Sequence, residues 1–282
     1  MNWVPLLFID AVCHRLRKPE FNHFSQLSGS WPSFGSEHSE KRRELGFRCK
    51  VNDQEVSYNL WETHGRYRDV TVADLNLEFD RITELACGSA HPNDHRVSLS
   101  EFERDILPTF VSLVACSWRF LSSQDSAQNR FFFKAFKNCP GFNEITVDEQ
   151  GEESRDFVTR QVELGNVQWL NLYGADKWPE AENLAETLKI FVSSARFRAL
   201  MSRDVLRDEY KLFELFLERA LAKELKPGAR IRATSTIFDK SRLLALHPDC
   251  RDYSRMDAWR IPDSNLRIAL RYCNGLLELE VK

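Results

Sequence analysis

The stretch ENLAETLKIFVSSARFRALMS, residues 182–202, is typical of a helix that leads into a strand. Its apolar residues from Leu184 to Val192 recur at intervals of three and four, which is the period of an amphipathic helix. A short break at residues 193–196 separates this helix from the apolar FRALMS, residues 197–202. The succession of helix, short break and strand recurs before and after this stretch, and the repetition predicts an α/β fold.

The recurring strands set an approximate period. Besides the strand near residue 197, we expect strands in EITVD, VQWLNLYG and ARIRATSTIF, and the four begin near residues 145, 169, 197 and 231. Their intervals of 24, 28 and 34 residues predict an irregular α/β array with parallel strands. An ordinary α/β layer domain is the alternative. On either reading Trp169 and Tyr173, four residues apart, point to the same face of their strand, either into the core or towards a partner.

This array resembles a leucine-rich-repeat horseshoe. Leu170-Asn171-Leu172 has the L-x-L core of that repeat, and Ile145-Thr146-Val147 fits its shape. The asparagine ladder position is absent and the period is irregular. The resemblance implies one exposed, concave sheet face suited to recognising a protein.

A β-hairpin is predicted at the C-terminal end. LRIALRY, residues 266–272, and LLELEV, residues 276–281, flank a turn that contains Asn274-Gly275, the strongest short hairpin signal. Alternation places Arg267 and Arg271 on the same face. We expect an edge hairpin that closes the sheet with its arginines in solvent.

The segment after residue 45 predicts further strands. GFRCKV (46–51), EVSYNLWE (55–62) and RDVTVADLNLEF (68–79) have the composition or alternation of strands. Residues 88–95, GSAHPNDH, have the composition of a loop.

The first 45 residues carry more apolar surface than a unit of their size can bury. Three short helices are predicted: one in VPLLFIDAVCHRL, one around Phe21 and Phe24, and one up to Leu45. Their apolar positions cover nearly the whole circumference of the first helix. This surface either caps the remainder of the chain or docks a partner protein.

This segment resembles the F-box. Val4-Pro5 stands where that motif has Leu-Pro, and the distance from Pro5 to Trp31 matches without a gap. Val4 and Phe21 replace leucines, and Gly29-Ser30 replaces a pair that is often basic. The sequence therefore predicts two domains, an F-box at 1–45 and an α/β recognition domain at 46–282.

The F-box resemblance implies a function and a set of contact residues. F-box proteins bind a Skp-family adaptor, which joins them to a cullin–RING ubiquitin ligase, and the rest of the chain selects the protein to be ubiquitinated. We therefore expect a substrate-recognition subunit of an SCF-type ligase with no enzymatic activity of its own and no cofactor. The residues that form or support the adaptor-binding surface are Pro5, Leu7, Phe8, Val12, Leu16, Phe21, Leu27 and Trp31.

The composition argues against several other classes of protein. The 39 Lys and Arg against 42 Asp and Glu give a formal net charge of −3, which argues against a nucleic-acid-binding domain. No apolar run is long enough to span a membrane. The seven cysteines include no Cys-x-x-Cys, so we expect free thiols in a reducing compartment, the cytosol or nucleus.

The sequence carries only weak signals for a metal site or a catalytic site. Cys87, His91 and His95 have a C-x3-H-x3-H spacing, but they lie in a loop with no fourth ligand nearby, so we expect no metal site. Glycine-rich nucleotide loops, H-E-x-x-H and G-x-S-x-G are absent.

Overall fold

The structure is a computed structural model of the whole chain. It describes residues 4–16, 18–52, 54–64, 68–88, 91–92, 94–114, 119–122, 126–173, 182–202, 210–234, 251–253, 256–261, 264–273 and 276–282. The chain forms two compact units, Met1–Phe142 and Asn143–Lys282.

The first unit contains a mixed sheet with the strand order β6-β4-β1-β2-β3, and β5 also pairs with β2. Strands β1 and β2 form an antiparallel hairpin, whereas β1, β4 and β6 run parallel. The strands are β1 (Glu44–Asn52), β2 (Glu55–Glu62), β3 (Asp69–Val70), β4 (Arg81–Cys87), β5 (His95–Ser98) and β6 (Arg119–Ser122).

The helices of the first unit lie before and after its hairpin. They are α1 (Leu6–Cys13), a 3-10 helix (Lys18–Gln26), α2 (Trp31–Lys41), α3 (Leu99–Glu101), a π-helical turn (Phe102–Ile106), α4 (Leu107–Leu113) and α5 (Ser126–Phe136). Phe47 of β1 packs against Phe110 of α4, with 4.6 Å between ring centroids, and Phe102 stacks 6.5 Å away. This aromatic cluster joins the sheet to the helices that follow β5.

The second unit begins with four parallel strands in chain order, β7-β8-β9-β10. A helix crosses between each pair of neighbours. These elements are β7 (Glu144–Asp148), α6 (Glu152–Glu163), β8 (Trp169–Tyr173), α7 (Glu182–Ser193), β9 (Ala199–Ser202), α8 (Tyr210–Leu221) and β10 (Arg230–Thr234). Antiparallel strands continue the sheet in the order β14-β13-β12-β11: β11 (Arg251–Tyr253), β12 (Met256–Arg260), β13 (Arg267–Cys273) and β14 (Leu276–Val281).

One face of the parallel strands of the second unit is buried. In β7 and β8 buried residues such as Ile145 and Leu170 alternate with half-buried ones, as the period of a strand requires. The crossover helices carry matching buried residues, among them Phe157 and Leu188. The predicted α/β class is therefore confirmed, and so are the strands near residues 145, 169, 197 and 231. The last four residues of the predicted strand ARIRATSTIF, 235–238, lie outside the described part of the chain.

The strand predicted over residues 68–79 is wrong beyond Val70. There the chain makes a 3-10 turn at Val72–Asp74, where Thr71 and Asp74 form a capping box. Asn76 Oδ1 then accepts a hydrogen bond from the Glu78 amide at 3.0 Å. These bonds from side chain to backbone satisfy groups that a strand would have to pair with a neighbour.

The C-terminal hairpin is present, but its predicted place at the sheet edge is wrong. Strand β14 pairs with β10, and β13 pairs with β12, so two further strands lie beyond the hairpin. Its predicted turn, Asn274-Gly275, lies outside the described residues. Arg271 is half-buried, with Nη2 3.2 Å from a Glu280 carboxylate oxygen.

The predicted boundary after residue 45 does not coincide with the boundary between the units. Strand β1 begins at Glu44, directly after the N-terminal helices, and both belong to Met1–Phe142. The Lys18 amide donates a hydrogen bond of 2.7 Å to the Glu44 carboxylate, which ties the helical segment to the strand.

Replacing Gly46 with alanine should destabilise the first unit. Gly46 lies opposite Trp61 in the β1–β2 pair, and a Cβ at this position would lie 2.2 Å from two atoms of the indole ring. We expect a loss of about 1–3 kcal/mol in the free energy of unfolding, measured by chemical denaturation. In a Trp61→Val background the same substitution should cost clearly less, and an equal cost in both backgrounds would contradict this account.

Candidate functional site

The N-terminal helical segment has a small hydrophobic core of its own. Ile9 and Cys13 of α1 and Phe21 and Phe24 of the 3-10 helix are buried together. Phe24 packs edge-on against Trp31 of α2, with ring centroids 5.1 Å apart. All three helical segments therefore contribute to one cluster.

A shared carboxylate joins α1 to α2. Asp10 accepts hydrogen bonds from His14 Nε2 at 3.0 Å and from His38 Nε2 at 3.1 Å, one on each oxygen. Arg42 contacts His38 Nδ1 at 3.3 Å, and Arg81 contacts His14 Nδ1. Because a guanidinium can only donate, the Arg42 contact assigns His38 as a neutral ring that carries the proton on Nε2.

The same two arginines fix the helices in place. Arg42 is buried and donates to the carbonyl oxygens of Leu16 and Cys13, the latter at 2.9 Å. Arg81 belongs to β4, so its contact with His14 connects α1 to the sheet. Burial lowers the pKa of His38 from its usual 6.5, against the opposing effect of the Asp10 hydrogen bond.

Four large apolar side chains of this segment are exposed. We define the apolar patch as Leu6, Leu7, Phe8 and Leu27, whose exposed fractions are 56%, 85%, 54% and 46%. Helix α1 is apolar around most of its circumference, so it cannot bury all of these side chains against one surface. Phe8 lies edge-on 6.4 Å from Trp31, which supports one side of the patch.

The structure separates the eight predicted contact residues by exposure. Pro5, Leu7, Phe8 and Leu27 are exposed, Val12, Leu16 and Trp31 are half-buried, and Phe21 is buried in the core. The first four can contact a partner directly, whereas Phe21 holds the helices together. Leu6 was missed by the sequence prediction, although it lies between two of the predicted residues.

The other sequence candidates do not form a site in the described residues. Cys87 is buried in β4 while His91 and His95 are exposed, and among the described residues no three His, Cys, Asp or Glu side chains are placed to hold a metal ion. Trp169 and Tyr173 do share a face of β8, as predicted, and both are half-buried. Cys49 and Cys87 are buried neighbours on β1 and β4 with Sγ atoms 4.0 Å apart, and burial raises the pKa of the Cys49 thiol.

No helix in the described part of the chain is both long and apolar enough to cross a membrane. Four cysteines in this part, Cys13, Cys49, Cys87 and Cys139, are buried and free of disulfides.

Comparisons with known proteins find only distant structural similarity. No family model matches the chain, and no curated protein matches it. Among solved structures, the chain is similar to MycE methyltransferase from the mycinamycin biosynthetic pathway in complex with Mg and SAH, at 10% identity and a TM-score of 0.27. That match covers 99% of this chain and 92% of the other. The MycE complex that also contains mycinamycin VI matches at 9% identity and a TM-score of 0.24, with coverages of 99% and 93%.

These matches contradict part of the prediction drawn from the F-box resemblance. The solved structures named here are methyltransferases, so the predicted role as an SCF substrate receptor and the prediction that the chain is not an enzyme are wrong. The ubiquitin-related assignment is corrected with them. Similarity at this identity and TM-score supports no argument for methyltransferase activity in this chain.

Lowering the pH should destabilise the N-terminal helical segment through His38. Its pKa is lowered in the folded protein, so the unfolded chain binds the additional proton and stability is lost as the pH falls below 6.5. Asp10, Arg42 and Glu37 are the charged groups that act on this ring. Chemical denaturation at about pH 7.5 and about pH 5.5 should show a smaller pH-dependent loss for His38→Gln than for the wild type.

The control for this measurement is His23→Gln, since His23 is exposed. This variant should keep the wild-type pH dependence. If His38→Gln also keeps it, the buried ring is not the group responsible.

Proposed function

We propose that the first unit binds a partner protein through the apolar patch. The observation that supports this function is the exposure of four large apolar side chains on a segment whose other large apolar side chains are buried or half-buried. Exposed apolar patches on folded proteins commonly mark sites of protein–protein interaction.

The patch is held in a fixed shape before any partner arrives. The Asp10–His38 hydrogen bond fixes α1 against α2, and the contact of Arg81 with His14 connects the end of α1 to the sheet. A surface that is already ordered loses less conformational entropy on binding. Phe8, supported by Trp31, has the character of an aromatic anchor.

We take the Skp-family adaptor as the occupant of the patch. The F-box resemblance implies this partner together with a cullin ligase, and both stay predictions. Three of the four patch residues, Leu7, Phe8 and Leu27, are among the positions that the resemblance assigns to the adaptor-binding surface. The proposal concerns binding alone and does not include the substrate-receptor role corrected above.

Leu7→Asp should weaken adaptor binding. Leu7 is the most exposed residue of the patch, and an acidic residue in the first turn of α1 is compatible with the helix. Burying a leucine contributes about 1.5–3 kcal/mol, so the affinity should fall about tenfold to hundredfold. Titration calorimetry with a purified Skp-family adaptor measures this change.

Leu77→Asp is the matched control, because Leu77 is another exposed leucine of the first unit and is not one of the patch residues. It should bind the adaptor as the wild type does. Binding of Leu7→Asp at wild-type affinity, or no binding of the adaptor by the wild type, would refute the proposal.

We also propose that the parallel part of the second unit is an irregular repeat array of leucine-rich-repeat-like character. Its strands begin at residues 144, 169, 199 and 230, at intervals of 25, 30 and 31 residues, and each pairs with the next in chain order. This regular succession supports the proposal. In such an array each repeat is stabilised mainly by its neighbours.

Native-state hydrogen exchange distinguishes an array from a single cooperative layer. In an array we expect Leu188→Ala in α7, which removes a buried side chain from the helix between β8 and β9, to lower the amide protection of those two strands more than that of β14. An equal loss of protection in β8, β9 and β14 would favour the single layer.

A further inference from the structure

A row of cationic side chains lies at one end of the antiparallel strands in the second unit. Arg260 of β12 is directly opposite Arg267 of β13. Arg267 in turn exchanges two backbone hydrogen bonds of 2.8 Å with Lys282, at the end of β14. Residues directly opposite one another share a face of the sheet, so Arg260, Arg267 and Lys282 form this row, which we call the cation row.

The two arginines form the closer of the two kinds of antiparallel pair. The Ile261 amide donates to the Leu266 carbonyl oxygen at 3.1 Å, and the Arg267 amide bonds to Lys282. Arg260 and Arg267 are therefore a non-hydrogen-bonded pair, in which the side chains approach most closely. Like charges placed directly opposite in this way destabilise the sheet.

Carboxylates within the described part of the chain do not neutralise the arginine pair. Neither Arg260 nor Arg267 has an ion-pair partner among the described residues, and both are exposed. The nearest acid in the register is Glu280, which lies 3.6 Å from Lys282 and 3.2 Å from Arg271. Glu280 is thus shared by two other cations.

A cavity of about 240 Å³ adjoins the arginine pair. Its lining is formed by Arg260, Ser264, Asn265, Leu266 and Arg267. The Ser264 hydroxyl accepts a hydrogen bond from the Leu266 amide at 3.1 Å and donates one to the Ile261 carbonyl at 3.2 Å, so Ser264 is held between Ile261 and Leu266 beside the arginines. The volume is several times that of a water molecule and accommodates a tetrahedral oxyanion.

We propose that the cation row and this cavity bind a phosphate monoester group. Two guanidinium groups supply planar pairs of N–H donors that match phosphate oxygens bidentately, and the Asn265 amide and the Lys282 ammonium supply further donors. A dianion between the arginines replaces their mutual repulsion with two attractive contacts. A bound dianion would therefore explain why Arg260 and Arg267 lie opposite each other beside this cavity in spite of their repulsion.

Inorganic phosphate tests the site directly in the full-length protein. We expect it to raise the midpoint of thermal unfolding in a saturable way beyond the effect of chloride at equal ionic strength. Arg260→Gln combined with Arg267→Gln should lose this response and weaken phosphate binding at least about tenfold in calorimetry. Arg267→Gln alone should raise the unfolding midpoint in phosphate-free buffer, because it removes the repulsion.

Arg15→Gln combined with Lys226→Gln removes the same charge from exposed positions elsewhere and should keep the phosphate response. An equal response to phosphate and chloride, or an unchanged response in the Arg260 and Arg267 double variant, would overturn the proposal.

A second arm identifies the source of the phosphate. A phosphoserine peptide that binds at least about tenfold more tightly than inorganic phosphate, with loss of binding on dephosphorylation, indicates a phosphorylated protein. Equal affinity for both probes indicates a free phosphate compound. The adaptor titration with Leu7→Asp concerns other residues, so either proposal can fail without the other.

Discussion

The Asp10 carboxylate is the group on which the arrangement of the first unit depends. It accepts hydrogen bonds from His14 and His38 at the same time, and each ring is held from its other side by an arginine, Arg81 or Arg42. His38 lies in α2, His14 and Arg42 directly follow α1 and α2, and Arg81 belongs to β4. Because a buried ring without a partner is costly, loss of the carboxylate would affect both helices and their attachment to β4.

Once α1 is fixed in this way, its apolar residues divide into two sets. Ile9 and Cys13 face the core, whereas Leu6, Leu7 and Phe8 are exposed. The apolar patch is thus a consequence of an all-round apolar helix held in one orientation. In the second unit the register of the strands has the corresponding effect. The pairing of β12, β13 and β14 aligns Arg260, Arg267 and Lys282 in one row.

The corrected function shows what the N-terminal pattern can and cannot specify. Apolar residues at helical spacing with a proline and a tryptophan at the ends predict three short helices. Three are present, the middle one as a 3-10 helix, but the last ends at Lys41 and its predicted extension to Leu45 is wrong because β1 begins at Glu44. The same positions are required by any small helical cluster that must bury a core. Phe21 illustrates this, since it was assigned to a contact surface and lies in the core.

The sequence by itself determined the α/β class, the four parallel strands with their crossover helices and the C-terminal hairpin. These follow from periodicity and turn residues, which act over a few neighbouring positions. The prediction from sequence was wrong where side chains bonded to the backbone in place of a neighbouring strand, as those of Thr71 and Asp74 do. Only the tertiary structure decided that the hairpin lies inside the sheet, that Leu6 belongs to the exposed patch and that Arg260 meets Arg267. The first two depend on contacts between residues far apart in the chain, and the third depends on the register of two paired strands. A local pattern carries no information about which distant surface will cover a residue or which register a strand pair will adopt.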